Sequence, residues 1–218
     1  MSGRRFSTVL LFGMPGVGKG TQGKLLEKIR GVFHLSTGEI FRSLTDDTDD
    51  GRLVADCLRR GQLVPDDLTI EIWKHWLNAQ IEAGHFRPDE HILLLDGMPR
   101  NVRQCQMLVE HIDVIQVVFL SPPNDEPIIQ RLRQRALNEG RSDDLDESVV
   151  RKRLEVFRNE TAQVLNFYPT EIIREIDPMG TPAEVLKRIL DCLIPVMGSL
   201  NKPSSSFGGN EMTPDDAE

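Results

Sequence analysis

Positive charge is in short supply. Against 34 Asp and Glu the chain sets 26 Lys and Arg, for a net charge of −8 over 218 residues. That balance excludes a surface built to track nucleic acid, while leaving room for a local pocket of Arg and Lys around a small anion. Cysteine is scarcer still: Cys57, Cys105 and Cys192 are widely separated and form no C-x-x-C pair. A structural zinc site and a dithiol couple are thereby excluded, and the three are read as partly buried thiols. No apolar run approaches the roughly 18 residues that span a bilayer. The opening MSGRRFSTVLLFGMPG also offers too short a stretch for a signal peptide, so the chain is expected in the cytoplasm. Hydrophobic residues at 39% and charged residues at 28% are ordinary for a globular protein, which excludes disorder of the whole chain. The length favours one domain carrying insertions.

What is present is an alternation. Short apolar runs at 8–12, 33–35, 92–95, 114–120 and 171–176 read as strands buried on both faces. Helical spacing lies between them, in Leu25, Leu26 and Ile29, and again in Leu68, Ile72, Trp73, Trp76 and Leu77. Strand alternating with helix predicts an α/β class with a mainly parallel sheet. Two segments break the alternation: 38–84, with several helix-like pieces, and the polar 136–147. From 198 onward Ser, Gly, Pro and acidic residues predict a disordered tail.

The strongest motif is GMPGVGKGT, Gly13 to Thr21, between the run TVLLF and a helical pattern. Its glycines let backbone N–H groups turn toward an anion, the helix N-terminus adds partial positive charge, and Lys19 reaches terminal phosphates. The pattern G-x-x-x-x-G-K-[ST] holds except that Gly20 precedes the hydroxyl of Thr21. A second motif, LLLDGMPR, sets Asp96 at the end of a buried strand, where a carboxylate can engage Mg²⁺ through water. The tight turn after it frees Arg100 to project into the same crevice. Third comes a set of arginines at 131, 133, 135, 141, 151 and 153. Phosphoryl transfer needs little more from protein than alignment and cations, so a phosphate clamp explains the group economically.

These blocks, with HLSTGEIFR (34–42), GQLVPDDLTIEI (61–72), LLLDGMPRNVRQ (93–104) and GRSDDLDESVVRKRLEVF (140–157), resemble the adenylate kinases, of the nucleoside monophosphate kinase family, over about 8–190. The resemblance implies a P-loop NTPase fold, a five-stranded parallel sheet flanked by helices. Its core would take up about 6–37, 85–135 and 148–197, with 38–84 as the AMP-binding insertion, 136–147 as a short lid without zinc cysteines, and 198–218 as the tail. It implies ATP on Gly16, Val17, Gly18, Lys19, Gly20, Thr21, Arg131 and Arg135, with Arg135 on the triphosphate and Gly180 by the adenine. AMP would lie against Thr37, Arg42, Gln62, Leu63, Val64, the turn Gly97, Met98, Pro99 and Arg100, and Gln104. Arg141 and Arg153 would close over the reacting phosphates. Lys19, Arg100, Arg135, Arg141 and Arg153 are the implied catalytic set, and Asp96 the Mg²⁺ contact. Met98 stands where the family carries an aromatic.

The activity so implied is reversible, Mg²⁺-dependent transfer from ATP to AMP giving two ADP, by a monomer that binds neither nucleic acid nor membrane. A UMP/CMP kinase shares the short lid, but Thr37 and Gln104 speak against it. A nucleotide sensor without catalysis would need only the phosphate loop, whereas this chain keeps the whole cationic set. Trp73 and Trp76 are read as core or hinge packing, the five histidines as structural or exposed, and the acids at 143, 144, 146 and 147 as a helix cap.

Overall fold

The computed structural model describes residues 5–124, 128, 130–132 and 146–200, with side chains through residue 198. Strand burial decides the architecture. In β1 (Phe6–Gly13) residues 9–12 are at most 5% exposed, and all five residues of β3 (Ile92–Asp96) are buried. Such strands are stable only with both faces covered, which a parallel sheet between helix layers provides. The sheet runs β2-β3-β1-β4-β5, every pair parallel, with β2 at Val32–Ser36, β4 at Ile112–Leu120 and β5 at Ile173–Ile176. It is the five-stranded parallel sheet flanked by helices that the resemblance implies.

Burial on both faces fails at the sheet edges. Arg174 and Glu175 of β5 are exposed, and residues 170–172, of which 171 and 172 were expected in that strand, form a 3₁₀ turn instead. An edge strand has a neighbour on one side only, so polar side chains there keep their water. β4 carries a register shift against β1, where Thr8 pairs with Val114 and Val9 with Gln116. Gln116, 3% exposed, donates from Nε2 to the Ile172 carbonyl at 3.0 Å, which satisfies a polar group inside an apolar run.

Helices flank the sheet, namely α1 (Lys19–Leu26), α2 (Thr37–Ser43), α3 (Asp49–Arg59), α4 (Asp66–Glu82), α5 (Val102–Leu108), α6 (Glu147–Asn159) and α7 (Pro182–Leu200), and residues 128 and 130–132 are helical as well. Four start on side-chain caps. Thr48 accepts from the Gly51 N–H, Asn101 from Gln104, Thr181 from Glu184 and Asp146 from Ser148, each worth about 0.5–2 kcal/mol. The last bears out the cap expected from the acidic run. α1 stops at Leu26, so Ile29 of its expected stripe sits in the following turn, its N–H on the Leu26 carbonyl.

α4 departs from a single apolar stripe. It buries Thr69, Ile70, Trp73 and Leu77, while Leu68 and Ile72 lean on a second, smaller core of Val54, Cys57 and Val64. The helix serves two cores at once, which blurs its periodicity. Trp73 is core, as expected, and Trp76 is half-buried against Phe33 with ring centroids 6.1 Å apart. Cys57 and Cys105 are buried thiols, and burial pushes the Cys105 thiol up to about 11. α7 continues through Leu200, past the boundary at 198 expected for the tail. Residues 201–218 lie outside the described residues, as does the lid expected at 136–147 except for Asp146 and Glu147. Among the described residues no helix is long and apolar enough to cross a membrane.

Candidate functional site

After β1 the chain moves to one side of the sheet for β2 and β3, then to the other for β4 and β5. A parallel sheet opens a crevice at the carboxyl ends of its strands where the order reverses in this way. Register puts Leu11 of β1, Asp96 of β3 and Ser36 of β2 abreast at that edge, with Gly13 facing Leu120 of β4. The phosphate-loop motif, the D-G turn and the start of α2 therefore meet there.

The loop from Gly13 feeds α1, whose first turn holds no acid, so the partial positive charge of the helix start is uncompensated. Gly18, at φ +101°, is in the left-handed region, and a Cβ on it or on Gly20 would meet nothing within 4 Å. The backbone there faces open space. Gly16 differs, since a Cβ on it would lie 2.7 Å from Leu132 Cγ. Lys19 Nζ donates to the carbonyls of Gly13 at 2.8 Å and Met14 at 3.0 Å, holding the ammonium across the loop. Val17 is buried and Thr21 exposed. Two long-range bonds tie the segment around Gly180 to this region. Gln22 Nε2 donates to the Pro182 carbonyl at 3.0 Å, and Arg131 Nη1 to the Pro178 carbonyl at 3.3 Å.

Beside the loop lies a cavity of about 100 Å³. Its floor follows from β3. Gly97, at φ +94°, turns the chain so tightly that a Cβ would collide with Thr37 Oγ1, and that hydroxyl donates to the Asp96 carbonyl at 3.2 Å. The wall containing Gln62, Leu63 and Val64 follows from how α3 ends. Gly61 donates its N–H to the Leu58 carbonyl and Gln62 to that of Cys57, a Schellman closure that swings the next residues inward. Gln104, 1% exposed, accepts the Arg100 N–H on Oε1 at 2.7 Å and donates from Nε2 to Asp66 Oδ1 at 2.8 Å.

Arg42, Arg100 and Arg153 all line the cavity. Burial holds the Arg100 guanidinium below its ordinary pKa; Asp96 pulls it back up, and Arg153 and Arg42 add to the lowering. Arg100 Nε is satisfied by the Gly97 carbonyl at 2.6 Å. Three guanidiniums around so small a space, with the buried Asp96 close to Arg100, are chemically suited to a multiply charged anion.

The structure thus gathers Thr37, Arg42, Gln62, Leu63, Val64, Gly97, Arg100, Gln104 and Arg153 at one cavity. Met98 and Pro99, expected with them, do not line it. Met98 is 3% exposed within the main core and Pro99 is also buried, because the chain that turns Gly97 and Arg100 outward turns the residues between them inward. Arg135 and Arg141 lie outside the described residues. Sequence reasoning missed Phe41 and Thr69, which also line the cavity. Phe41 is one helical turn beyond Thr37, a spacing that could have found it. Among the described residues no three His, Cys, Asp or Glu side chains gather as a metal site.

The model of the adenylate kinase family matches residues 11–173. The adenylate kinase of Prochlorococcus marinus (strain MIT 9211) is 38% identical over 197 residues, covering 88% of this chain and 99% of that protein. The one from Mycobacterium ulcerans (strain Agy99) is 39% identical over 191 residues, 85% of this chain and 98% of its own. That of Maricaulis maris (strain MCS10) is 38% identical over 191 residues, 85% and 97% respectively.

Proposed function

The chain belongs to the adenylate kinase family, and from that premise we propose that it transfers the γ-phosphoryl group of MgATP to AMP, giving two ADP. The observation that carries the acceptor half is the cavity where Arg42, Arg100 and Arg153 meet the buried amide of Gln104. The arginines hold the AMP phosphate and Gln104 reads the adenine edge, with Thr37 and the segment 62–64 packing around it. An oxygen of the AMP phosphate forms the new bond to the γ-phosphorus as the bond to the β-γ bridging oxygen of ATP breaks. The attacking phosphate is already ionised, so no side chain has to remove a proton. What the protein supplies is in-line alignment and cations.

On the donor side the open backbone at Gly18 and Gly20 cradles the phosphates, and Lys19 exchanges its two loop carbonyls for phosphate oxygens as they arrive. Arg131 and the segment around Gly180 border the adenine, and Arg135 and Arg141 complete the clamp. Mg²⁺ enters with ATP as part of the substrate. A buried carboxylate, Asp96, suits an ion that keeps most of its waters and takes its other ligands from phosphate. We place the enzyme in the cytoplasm as a monomer, with 136–147 as the lid that excludes water from the transfer.

The test is ADP formation from ATP and AMP in a coupled assay with Mg²⁺. Turnover that requires both nucleotides is the expected result. Binding of both without ADP would leave a nucleotide sensor in place of the enzyme.

A further inference from the structure

Gln104 carries an amide whose two ends differ by one atom, so its orientation has to be set by its neighbours. On one side is the Arg100 N–H, which can only donate; on the other is the Asp66 carboxylate, which, ionised, can only accept. The first demands Oε1 and the second demands Nε2. Asp66 is itself held. Its Oδ1 also accepts from Asn101 Nδ2 at 3.0 Å, its Oδ2 lies 3.9 Å from Arg103 Nε, and Asn101 Oδ1 accepts the Gln104 backbone N–H at 2.8 Å. Asp66 opens α4 and Asn101 caps α5, so two helix starts converge on one side chain.

We propose that Asp66 is a positioning residue that locks the Gln104 amide in one orientation and so decides which purine edge the acceptor cavity accepts. The inference rests on the reading of Gln104 as the group that meets the AMP base. With the amide locked, one lone pair of Oε1 and one hydrogen of Nε2 are left over. That pair matches a 6-aminopurine, which offers an acceptor at N1 and a donor at N6. A 6-oxopurine presents the reverse, a donor at N1 and an acceptor at O6, and would set donor against donor. A free amide could turn over and meet either edge; a locked one cannot.

The experiment compares AMP with inosine monophosphate, which differs at this edge alone, as kcat/KM at saturating MgATP in wild type and in Asp66→Ala, Asp66→Leu and Asp66→Asn. Wild type is expected to favour AMP by roughly a hundredfold or more, since mismatched polar groups in a closed pocket are left unpaired. Asp66→Ala and Asp66→Leu are expected to lower that ratio about tenfold, through a higher KM for AMP with kcat changed less than about twofold. Asp66→Asn keeps an acceptor oxygen and should keep the ratio. A merely structural tie between α4 and α5 would lower kcat and melting temperature and leave the ratio alone.

An unchanged ratio in folded Asp66→Ala or Asp66→Leu, beside a wild type that prefers AMP, overturns the role of Asp66 alone. A wild type with no preference overturns the reading of Gln104 beneath it. Wild-type protein gives a measurement independent of the variants' folding. One side-chain amide proton of Gln104 should exchange with solvent at least about tenfold slower than the free group, as expected for a buried bonded proton. Free exchange of both would contradict the lock.

Discussion

On the proposed acceptor side, side chains from α2, the end of α3, α4, α5, α6 and the D-G turn line a cavity. On the proposed donor side the groups on offer are backbone: Gly18 and Gly20 face open space, and Lys19 rests on its own loop. The difference follows from what each side has to distinguish. Phosphates are alike in every nucleotide, so N–H groups and a helix start suffice for the donor chain. A base differs by single hydrogen bonds, and only oriented side chains such as Gln104 can tell one edge from another.

The largest effect expected from breaking this division is at Lys19. Lys19→Met should lower kcat by about a hundredfold to a thousandfold, the scale for losing one donor to developing charge, and leave AMP binding near normal. Isothermal titration with AMP beside steady-state turnover checks it. Equal losses in both would mean that the two sides are not separately built.

A smaller effect sharpens the contrast within the loop. Gly16→Ala places a methyl group against Leu132, whereas Gly18→Ala places one in open space, and both positions have positive φ. Gly16→Ala should therefore be the less stable of the two by about 1–3 kcal/mol, the usual cost of overpacking. Gly18→Ala should mainly weaken ATP binding. Chemical denaturation and ATP titration of the pair give the comparison.

The smallest concerns Glu39 on α2, whose 2.9 Å ion pair with Lys24 spans from the acceptor side to α1. Burial raises the Glu39 pKa, but the hydrogen bond and charge of Lys24, together with the charges of His34 and Arg42, outweigh it and the net shift is downward from 4.5. A lowered folded pKa contributes stability above the unfolded value and loses it as pH falls through the folded one. Because water reaches both groups, at 61% and 43% side-chain exposure, Glu39→Gln should cost no more than about 0.5 kcal/mol at pH 7. The difference from wild type should vanish at a pH below the folded value, as urea melts at neutral and strongly acidic pH would report.

The sheet and the phosphate loop were legible because period and composition report burial directly. The runs at 8–12 and 92–95 lie within β1 and β3, and the glycines before Lys19 fall where β1 turns into α1. Asp96 could be placed at a strand end for the same reason. Residues 171 and 172 fall in the 3₁₀ turn before β5, whose pairing with β4 begins at Ile173, and the run Ile172–Ile176 carries no mark of where that pairing starts. The α4 stripe was blurred because Leu68 and Ile72 serve a second core, which no single-helix pattern encodes. Met98 and Pro99 were placed at the cavity because a motif names consecutive residues, whereas a tight turn points neighbours in opposite directions. Asp66 escaped notice as an ordinary acid in the first turn of a helix; only the fold brings it within 2.8 Å of Gln104.

The central claim, that the cavity is built for adenine and the cationic set for its phosphate, is tested most directly by the acceptor panel. The measurement is kcat/KM for AMP, CMP and UMP at saturating MgATP with the unmodified protein. The account predicts AMP ahead of both pyrimidine nucleotides by at least about tenfold to a hundredfold, the worth of one or two hydrogen bonds in a desolvated pocket together with lost packing. CMP or UMP used as well as AMP, or better, would contradict it.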